Sequence, residues 1–243
     1  WADTNRCNEN NNQGKYTLCY VHVLTGLVAV DLAEDETFYH TIEPGQQTTY
    51  NMTISNPTPG PAELVADSYT VSLLGVPNNW TVTLFFSTNH TPIFDSTPVF
   101  LRGGDVVPVY MRVRAPTIYQ ANADELAAIT VSVVSHKDPA INDERLTLTL
   151  MDVVHGINLD TSHYQVDVEQ GQSAIFSITV TNTGNVYDTF AFYDPTTHEG
   201  QTEWGLPFGW GVSFPTSLSL DPTQSVTRNL QVSVPTSQEP GTF

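Results

Sequence analysis

Side chains that could do chemistry are sparse in this sequence, and their spacing matches no known catalytic arrangement. Neighbouring carboxylates such as Glu34 and Asp35 fall in polar stretches, where nothing apolar would raise one pKa to make a general acid. The sequence has no Gly-x-Ser-x-Gly turn, and no histidine is placed to activate a cysteine. The seven histidines lack the spacing of zinc ligands. We therefore predict that the chain is not an enzyme.

Three Asn-x-Thr triplets are candidate sites of N-linked glycosylation, at Asn51, Asn79 and Asn89. Asn51 lies between the apolar residues Tyr50 and Met52 of a predicted strand, so its side chain should face solvent. Asn89 lies in a polar loop. Such triplets also arise by chance in a chain rich in Asn and Thr, so glycosylated and plain surface asparagines are both open interpretations.

The two cysteines, Cys7 and Cys19, are twelve positions apart near the N-terminus. An even number of cysteines this close together favours one disulfide if the protein is exported, and two unpaired thiols are the alternative. So few cysteines argue against a structural zinc site.

Acidic residues precede two similar stretches of the chain, and they are candidate calcium ligands. Asp31, Glu34 and Asp35 precede the first stretch, and Asp160 precedes the second. Carboxylates at a hinge between domains would suit calcium, although the spacing is not that of an EF-hand. Solvated loop charge is the alternative, and no other cofactor is predicted.

The charge balance restricts the partners of the chain. Lys and Arg total 8 against 26 Asp and Glu, for a formal net charge of −18. Phosphate backbones and anionic lipid surfaces would repel such a protein, so we expect no nucleic acid partner. No stretch approaches the roughly 20 apolar residues of a membrane span.

An internal repeat dominates the rest of the sequence. The stretch IEPGQ at 42–46 recurs as VEQGQ at 168–172, and each is followed by alternating apolar and polar residues and then by an Asn-containing turn. Further along, VPNNWTV at 76–82 matches LPFGWGV at 206–212. Trp80 and Trp210 hold the same place in the two copies, so we predict that both are core anchors.

Short alternating stretches separated by Pro or Gly predict an all-β fold of tandem Ig-like β-sandwich domains. We place the first sandwich at residues 25–152 and the second at 153–243, where the last strands of the repeat are missing. Residues 1–24 hold one further predicted strand, Tyr16 to Val23. That segment is either the end of a preceding repeat or a strand donated to a neighbouring copy.

The order of these motifs resembles the Ig-like repeats of archaeal and bacterial cell-surface proteins, namely CARDB-like repeats and NPCBM-associated domains. The resemblance covers most of residues 28–151 and 159–243. The first copy departs from the pattern, with Asn-Pro at 56–57 in place of Asn-x-Gly and RGG at 102–104 in place of Pro-Gly. The resemblance implies an extracellular, cell-surface protein of a prokaryote, and the archaeal assignment follows from the resemblance alone.

We therefore expect a structural role in a surface layer, stalk, adhesin or filament. The partners would be other copies of the chain or further repeats of the same surface protein, together with glycans. The alternative is a carbohydrate-binding or spacer module of a larger extracellular enzyme, because aromatic rings stack on sugars. The aromatic residues that suggest this are Tyr187, Phe190, Phe192, Tyr193, Trp204, Phe208 and Trp210.

Overall fold

A computed structural model of the chain describes residues 27–33, 36–59, 62, 65–192 and 209–237. All of the regular secondary structure within these residues is β-strand. Strand β3 (Gln47–Ser55) shows why: Tyr50, Met52 and Ile54 are buried at alternate positions, and the polar residues between them point the other way. The predicted all-β class is confirmed.

The first ten strands form two facing five-stranded sheets. The strands are β1 (Ala29–Leu32), β2 (Tyr39–Ile42), β3, β4 (Asp67–Leu74), β5 (Thr81–Phe86), β6 (Pro92–Ile93), β7 (Val99–Leu101), β8 (Val106–Arg114), β9 (Leu126–Ser135) and β10 (Asn142–Met151). One sheet has the order β1-β3-β8-β5-β6 and the other β2-β10-β9-β4-β7. Neighbouring strands are antiparallel, except that β2 and β10 are parallel.

The core of this first sandwich lies between its two sheets. Its largest fully buried side chains include Tyr50 and Met111 from one sheet and Tyr69 and Ile129 from the other. The hydroxyl of Tyr50 donates to the carbonyl oxygen of Leu148 at 2.7 Å, which satisfies the one polar atom of a buried ring.

The remaining strands repeat part of this arrangement. They are β11 (Ile157–Thr161), β12 (Ser173–Asn182), β13 (Asp188–Ala191), β14 (Gly211–Ser213), β15 (Ser217–Leu220) and β16 (Ser225–Ser233). The order β11-β12-β16-β14 matches β1-β3-β8-β5, and the pair β13-β15 matches β4-β7. Even the register is shared, because Phe176 lies opposite Leu230 as Tyr50 lies opposite Met111.

The chain enters the first sandwich at one end and leaves it at the other. Ala29 of β1 lies opposite Ser55, the last residue of β3. Strand β10 ends at Met151, which lies beside Ile42. Ile42 is in turn separated by only a short turn from Gln47, the first residue of β3. A nine-residue strand is about 30 Å long, so the entry and exit points are separated by about that distance.

Strand β10 begins in a polar stretch at Asn142, ahead of its apolar positions from Leu146 onward. The stretch from Ala123 forms a turn that leads directly into β9. No helix in the described ranges is long and apolar enough to cross a membrane.

Candidate assembly surfaces

The joint between the two sandwiches is organised by one buried asparagine, Asn185, which is 2% exposed. Its side-chain oxygen accepts from the backbone N–H of Val154 at 2.8 Å, and its amide nitrogen donates to the carbonyl oxygen of Asp152 at 2.9 Å. Its backbone carbonyl oxygen accepts from the backbone N–H of Ala123, in the first sandwich, at 3.3 Å. One residue of the second sandwich therefore holds both the linker and the first sandwich.

Close backbone packing adds to this joint. A Cβ atom on Gly184 would lie 2.3 Å from the carbonyl oxygen of Val154. Only glycine permits that approach without a shift of the linker. The linker is thus seated against the turn at 183–185.

Two further buried asparagines, Asn56 and Asn182, lie at equivalent turns of the two repeats, and each is 0% exposed. Asn56 donates to the carbonyl oxygen of Val65 at 2.9 Å and accepts from the N–H of Thr58 at 3.1 Å. Asn182 likewise accepts from the N–H of Gly184 at 2.8 Å. The sequence pattern predicts turns here but not that the asparagine side chains hold them, although the recurrence of Asn at one offset could have shown it.

The inward surface of the second sandwich is open in the described structure. Leu159 of β11 lies opposite Val180 and is 56% exposed, whereas Val30, its counterpart in β1, is 0% exposed. Phe176, Ile178 and Leu230 are half-buried, while their counterparts in the first sandwich are at most 1% exposed. Val180 and Val232, on the same side of the sheet, are buried. We call this surface the open face and define it by Leu159, Phe176, Ile178 and Leu230.

The open face exists because the described residues contain no counterparts of β9 and β10. In the first sandwich β9 pairs with β4 and supplies Ile129, Val131 and Val133 to the core. In the second, the described part of the chain pairs β13 with β15 alone. The edge of β13 that corresponds to the β9 side of β4 is therefore unpaired within those residues.

Trp80 and Trp210, the two predicted core anchors, differ in burial because the described residues of the second sandwich contain no counterpart of β9 and the loop before it. Trp80 is 6% exposed and donates its indole N–H to Glu125 at 2.8 Å, in the loop that leads into β9. Trp210 is only half-buried. The described residues of the second sandwich lack the loop that would cover Trp210.

All three candidate glycosylation sites lie on the first sandwich and are exposed. Asn51 faces outward from β3, and its amide nitrogen donates to Glu36 at 2.9 Å. Asn79 is in a turn with a φ of 66°. Asn89 also lies in a turn, where its side-chain oxygen accepts from the N–H of Thr91 at 3.0 Å. Glycosylation of any of the three asparagines stays a prediction.

The candidate calcium ligands are not brought together. Asp31 lies opposite Thr53 and Asp160 opposite Thr179, so they hold equivalent places in different sandwiches. Asp31 forms an ion pair with Arg145. Glu34 and Asp35 lie outside the described residues, and no group of three or more metal-ligating side chains occurs within them.

Several other predicted features also fall outside the described residues. These are the cysteines Cys7 and Cys19, the segment 1–24, and the aromatic residues Tyr193, Trp204 and Phe208. Of the remaining aromatics in the second repeat, Tyr187 is exposed, whereas Phe192 packs edge-on against Phe214 with ring centroids 5.0 Å apart.

An aromatic cluster that the sequence pattern does not predict lies on the outer surface of β5 and β8. The rings of Phe85 and Tyr110 stack with centroids 5.0 Å apart. The guanidinium of Arg112 lies 5.0 Å from the centroid of Phe85, within cation–π range. His90 contacts the hydroxyl of Tyr110 at 3.1 Å. Stacked rings beside a cation make a surface that could hold a sugar or a polar chain.

A histidine–aspartate pair and an apolar groove are two further places where titratable groups lie. His155 lies 2.8 Å from Asp188, and this hydrogen bond, together with one from the N–H of Thr189, lowers the pKa of the Asp188 carboxyl. An apolar groove of about 220 Å³ beside β4 and β5 includes Val71 and Phe94 and has one titratable side chain in its lining, Asp95. Neither place combines an acid, a base and a nucleophile.

Comparison with known proteins identifies no relative from sequence. No family model matches the chain, and no curated protein is similar to it. Among solved structures, a family 123 glycoside hydrolase from Clostridium perfringens has a TM-score of 0.38 and 7% identity over 54% of this chain and 28% of that one. The chain thus spans about 28% of the length of that hydrolase.

Two further structures are comparably distant. A PapD-like domain of human CEP192 has a TM-score of 0.30 and 10% identity, over 59% of this chain and 96% of that one. A protein of unknown function from Porphyromonas gingivalis W83 has a TM-score of 0.31 and 12% identity, over 86% and 84%. Similarities of this size carry no argument about function, which depends on sites and not on folds.

Proposed function

We propose that the chain is an extracellular structural protein whose Ig-like sandwiches form part of a surface layer, stalk, adhesin or filament of a prokaryotic, archaeal cell. The observation that carries this proposal is the joint at Asn185, where hydrogen bonds of a buried asparagine reach the linker and the first sandwich. Because the chain leaves the first sandwich at the end opposite to its entry, the joint stacks the two units lengthwise. A stiff lengthwise stack suits a part that spans distance or bears load.

The surface chemistry supports the same role. The net charge of −18 disfavours nucleic acids and anionic membranes as partners. Three exposed Asn-x-Thr asparagines on one sandwich offer places for sugars, which are common on surface proteins of exported type.

The test of this function is electron microscopy of surface structures sheared from the source cells, with intact mass spectrometry of their subunits. We expect the chain to be a major component of a lattice, stalk or filament. Recovery of the chain mainly from the cell interior, or only as a minor companion of a secreted enzyme, would contradict a structural role.

The joint itself can be tested by small-angle X-ray scattering. Asn185→Ala removes both side-chain hydrogen bonds to the linker and leaves the backbone bond to Ala123 in place. It should broaden the distribution of interatomic distances, because the linker is then held less firmly. Asn158→Ala, on the exposed surface of β11, is the matched control and should leave the distribution unchanged. Equal profiles for wild type and Asn185→Ala would mean that Asn185 does not stiffen the stack.

A second candidate function is a carbohydrate-binding or spacer module of a larger extracellular enzyme. The observation in its favour is the outer cluster of Phe85, Tyr110 and Arg112. Binding of the chain to soluble or insoluble polysaccharides, lost in Tyr110→Ala and retained in Tyr119→Ala, would favour it over the structural role. Tyr119 is 81% exposed and serves as the control for loss of a surface tyrosine.

A further inference from the structure

We propose that the outer surface of β5 and β8 binds a sugar acid of the hexuronate type, with Phe85 and Tyr110 packing on the sugar ring and Arg112 pairing with its carboxylate. The proposal rests on the second candidate function, carbohydrate binding, and names the chemical class of the ligand. The sugar acid can belong to a separate polysaccharide or to a glycan attached to the chain itself.

Arg112 is a cation for which the described part of the chain supplies no anion. Its guanidinium lies 5.0 Å from the ring centroid of Phe85 and 5.8 Å from that of Tyr110. It forms no ion pair with a described carboxylate, and its Nε is buried without a hydrogen-bond partner. Because the guanidinium is planar and carries paired donors, the ligand that suits it best is a carboxylate.

The strands on either side of β8 present uncharged side chains to this arginine. Thr49 of β3 and Thr83 of β5 lie opposite Arg112. Arg114, two positions further along β8, also lies between uncharged residues. Two of the eight Lys and Arg of the chain therefore share one surface. Since the rest of the chain is acidic and repels anions, a carboxylate is held where such cations face it.

The rings beside Arg112 are fixed in position by their neighbours. Phe85 and Tyr110 lie opposite each other in β5 and β8 and stack with an interplanar angle of 14°. His90 lies 3.1 Å from the hydroxyl of Tyr110 and meets its ring edge-on. Both stacked rings are half-buried, so each keeps accessible surface. A ligand therefore orders few side chains when it binds.

The combination of rings and cation favours a sugar acid over an acidic peptide. The apolar side of a sugar ring packs on an aromatic surface while its carboxylate reaches the neighbouring guanidinium. An Asp or Glu side chain would pair with Arg112 but would leave the aromatic surface uncovered.

One source of such a sugar lies on the same surface, at the candidate glycosylation site Asn51. Asn51 of β3 lies directly opposite Tyr110 of β8. Side chains in such pairs have Cβ atoms about 4.5–5.5 Å apart, so the first sugars of a glycan on Asn51 would lie beside the ring. Glu36, which accepts from the Asn51 amide nitrogen at 2.9 Å, pairs with His40 and leaves Arg112 unpaired.

The test is isothermal titration calorimetry on the full chain, produced in cells that do not glycosylate it. The probes are trisaccharides that end in glucuronate, galacturonate or mannuronate, and the controls are the same trisaccharides as methyl esters, which lack the negative charge. We expect at least one acid to bind, and its methyl ester to bind about tenfold more weakly or worse, because the ester loses a charge-assisted contact with Arg112.

Variants assign the binding to this surface. Arg112→Gln should weaken binding of the acid about tenfold or more and abolish the preference over the ester, and Arg112→Lys should lie between Gln and the wild type. Tyr110→Ala should weaken both acid and ester. Arg228→Gln and Tyr119→Ala are matched controls at exposed positions and should bind like the wild type. Circular dichroism of each variant shows that it is folded.

The chain purified from its source cells distinguishes the two sources of the sugar. If a glycan on Asn51 fills the site, this chain should bind the added acids only after its glycans have been removed. If the ligand is a separate polysaccharide, the chain should bind them equally well before and after that treatment.

The proposal is overturned if the esters bind as tightly as the acids, or if Arg112→Gln binds the acids like the wild type. Carbohydrate binding itself would stand in both cases, because the sugars still bind. If none of the acids and esters binds, the proposal is overturned, and the binding of polysaccharides then decides whether the second candidate function is lost with it. Self-association that Arg112→Gln abolishes, without binding of any sugar, would assign the arginine to contact between copies of the chain.

Discussion

Single buried polar residues at strand ends stabilise this protein at defined points. Asn56, Asn182 and Asn185 are each at most 2% exposed and bond backbone groups of turns that no ladder satisfies. A buried polar group left without its partner costs about 1–3 kcal/mol. These asparagines are therefore worth more to the fold than exposed ones of the same type.

Substitution of Asn56 by alanine tests that view. Asn56→Ala leaves the N–H of Thr58 and the carbonyl oxygen of Val65 without partners, so the free energy of unfolding of the first sandwich should fall by about 1–3 kcal/mol. Asn78→Ala, at an exposed turn position, is the control. Urea denaturation followed by circular dichroism measures both, and equal midpoints for the two variants would contradict the assignment.

Tyr69 predicts how the first sandwich responds to alkali. Burial raises the pKa of Tyr69 to about 12, and the Asp67 carboxylate adds to the shift. Below about pH 10 the hydroxyl is protonated in both folded and unfolded chains, and its contribution to stability is complete. Between about pH 10 and 12 only the unfolded chain loses the proton, so stability falls as the pH rises.

The variant Tyr69→Phe should therefore show a shallower loss of stability above about pH 10 than the wild type, as measured by urea midpoints across pH. Tyr119→Phe, at an exposed tyrosine, is the control and should follow the wild-type curve. A Tyr69→Phe curve parallel to the wild type would mean that another group governs alkaline unfolding.

Side chains at equivalent positions of equivalent strands are not equally buried in the two repeats. Strands β1 and β11 hold the same place in their sheets, with Val30 and Leu159 facing inward in both. Val30 is covered by a facing sheet, whereas Leu159 has no such cover among the described strands. The burial of a side chain is thus decided by strands far away in sequence.

Alanine substitutions at this matched pair measure the difference. Val30→Ala removes two buried methyl groups and should cost about 2 kcal/mol, counting the cavity. Leu159→Ala should cost less than about 1 kcal/mol in the monomeric chain, because more than half of the side chain is already exposed. Urea unfolding at low protein concentration compares the two, and equal losses would show that the open face is covered in the monomer.

Charge acts on the molecule as a whole. With a net charge of −18 and a sequence pI near 4.4, copies of the chain repel one another sideways at neutral pH. Copies of the chain should therefore remain separate at low ionic strength.

Raising the ionic strength from 0.01 to 0.15 M shortens the Debye length from about 30 to about 8 Å, so association between copies of the chain should increase. Lowering the pH toward 4.4 should act in the same direction, because it removes net negative charge. Light scattering at fixed protein concentration measures both effects. Scattering that decreases with added salt would mean that ion pairs hold copies of the chain together.

Local pattern was enough to determine the strand content, the repeat, the outward position of Asn51 and the buried position of Trp80. Each of these depends on alternation and turn residues within a few positions of sequence, and such preferences are stored locally. The Ig-like assignment, the glycosylation and the surface location remain predictions of the sequence.

Tertiary structure alone decided the parallel pairing of β2 with β10, the ion pair of Asp31 with Arg145, the joint at Asn185 and the half-burial of Trp210. Each depends on groups that lie far apart in the chain and meet only when the sheets have formed. Long-range strand pairing decides which strands cover a given surface. A periodic sequence specifies the side chains of that surface but does not specify the strands that bury it.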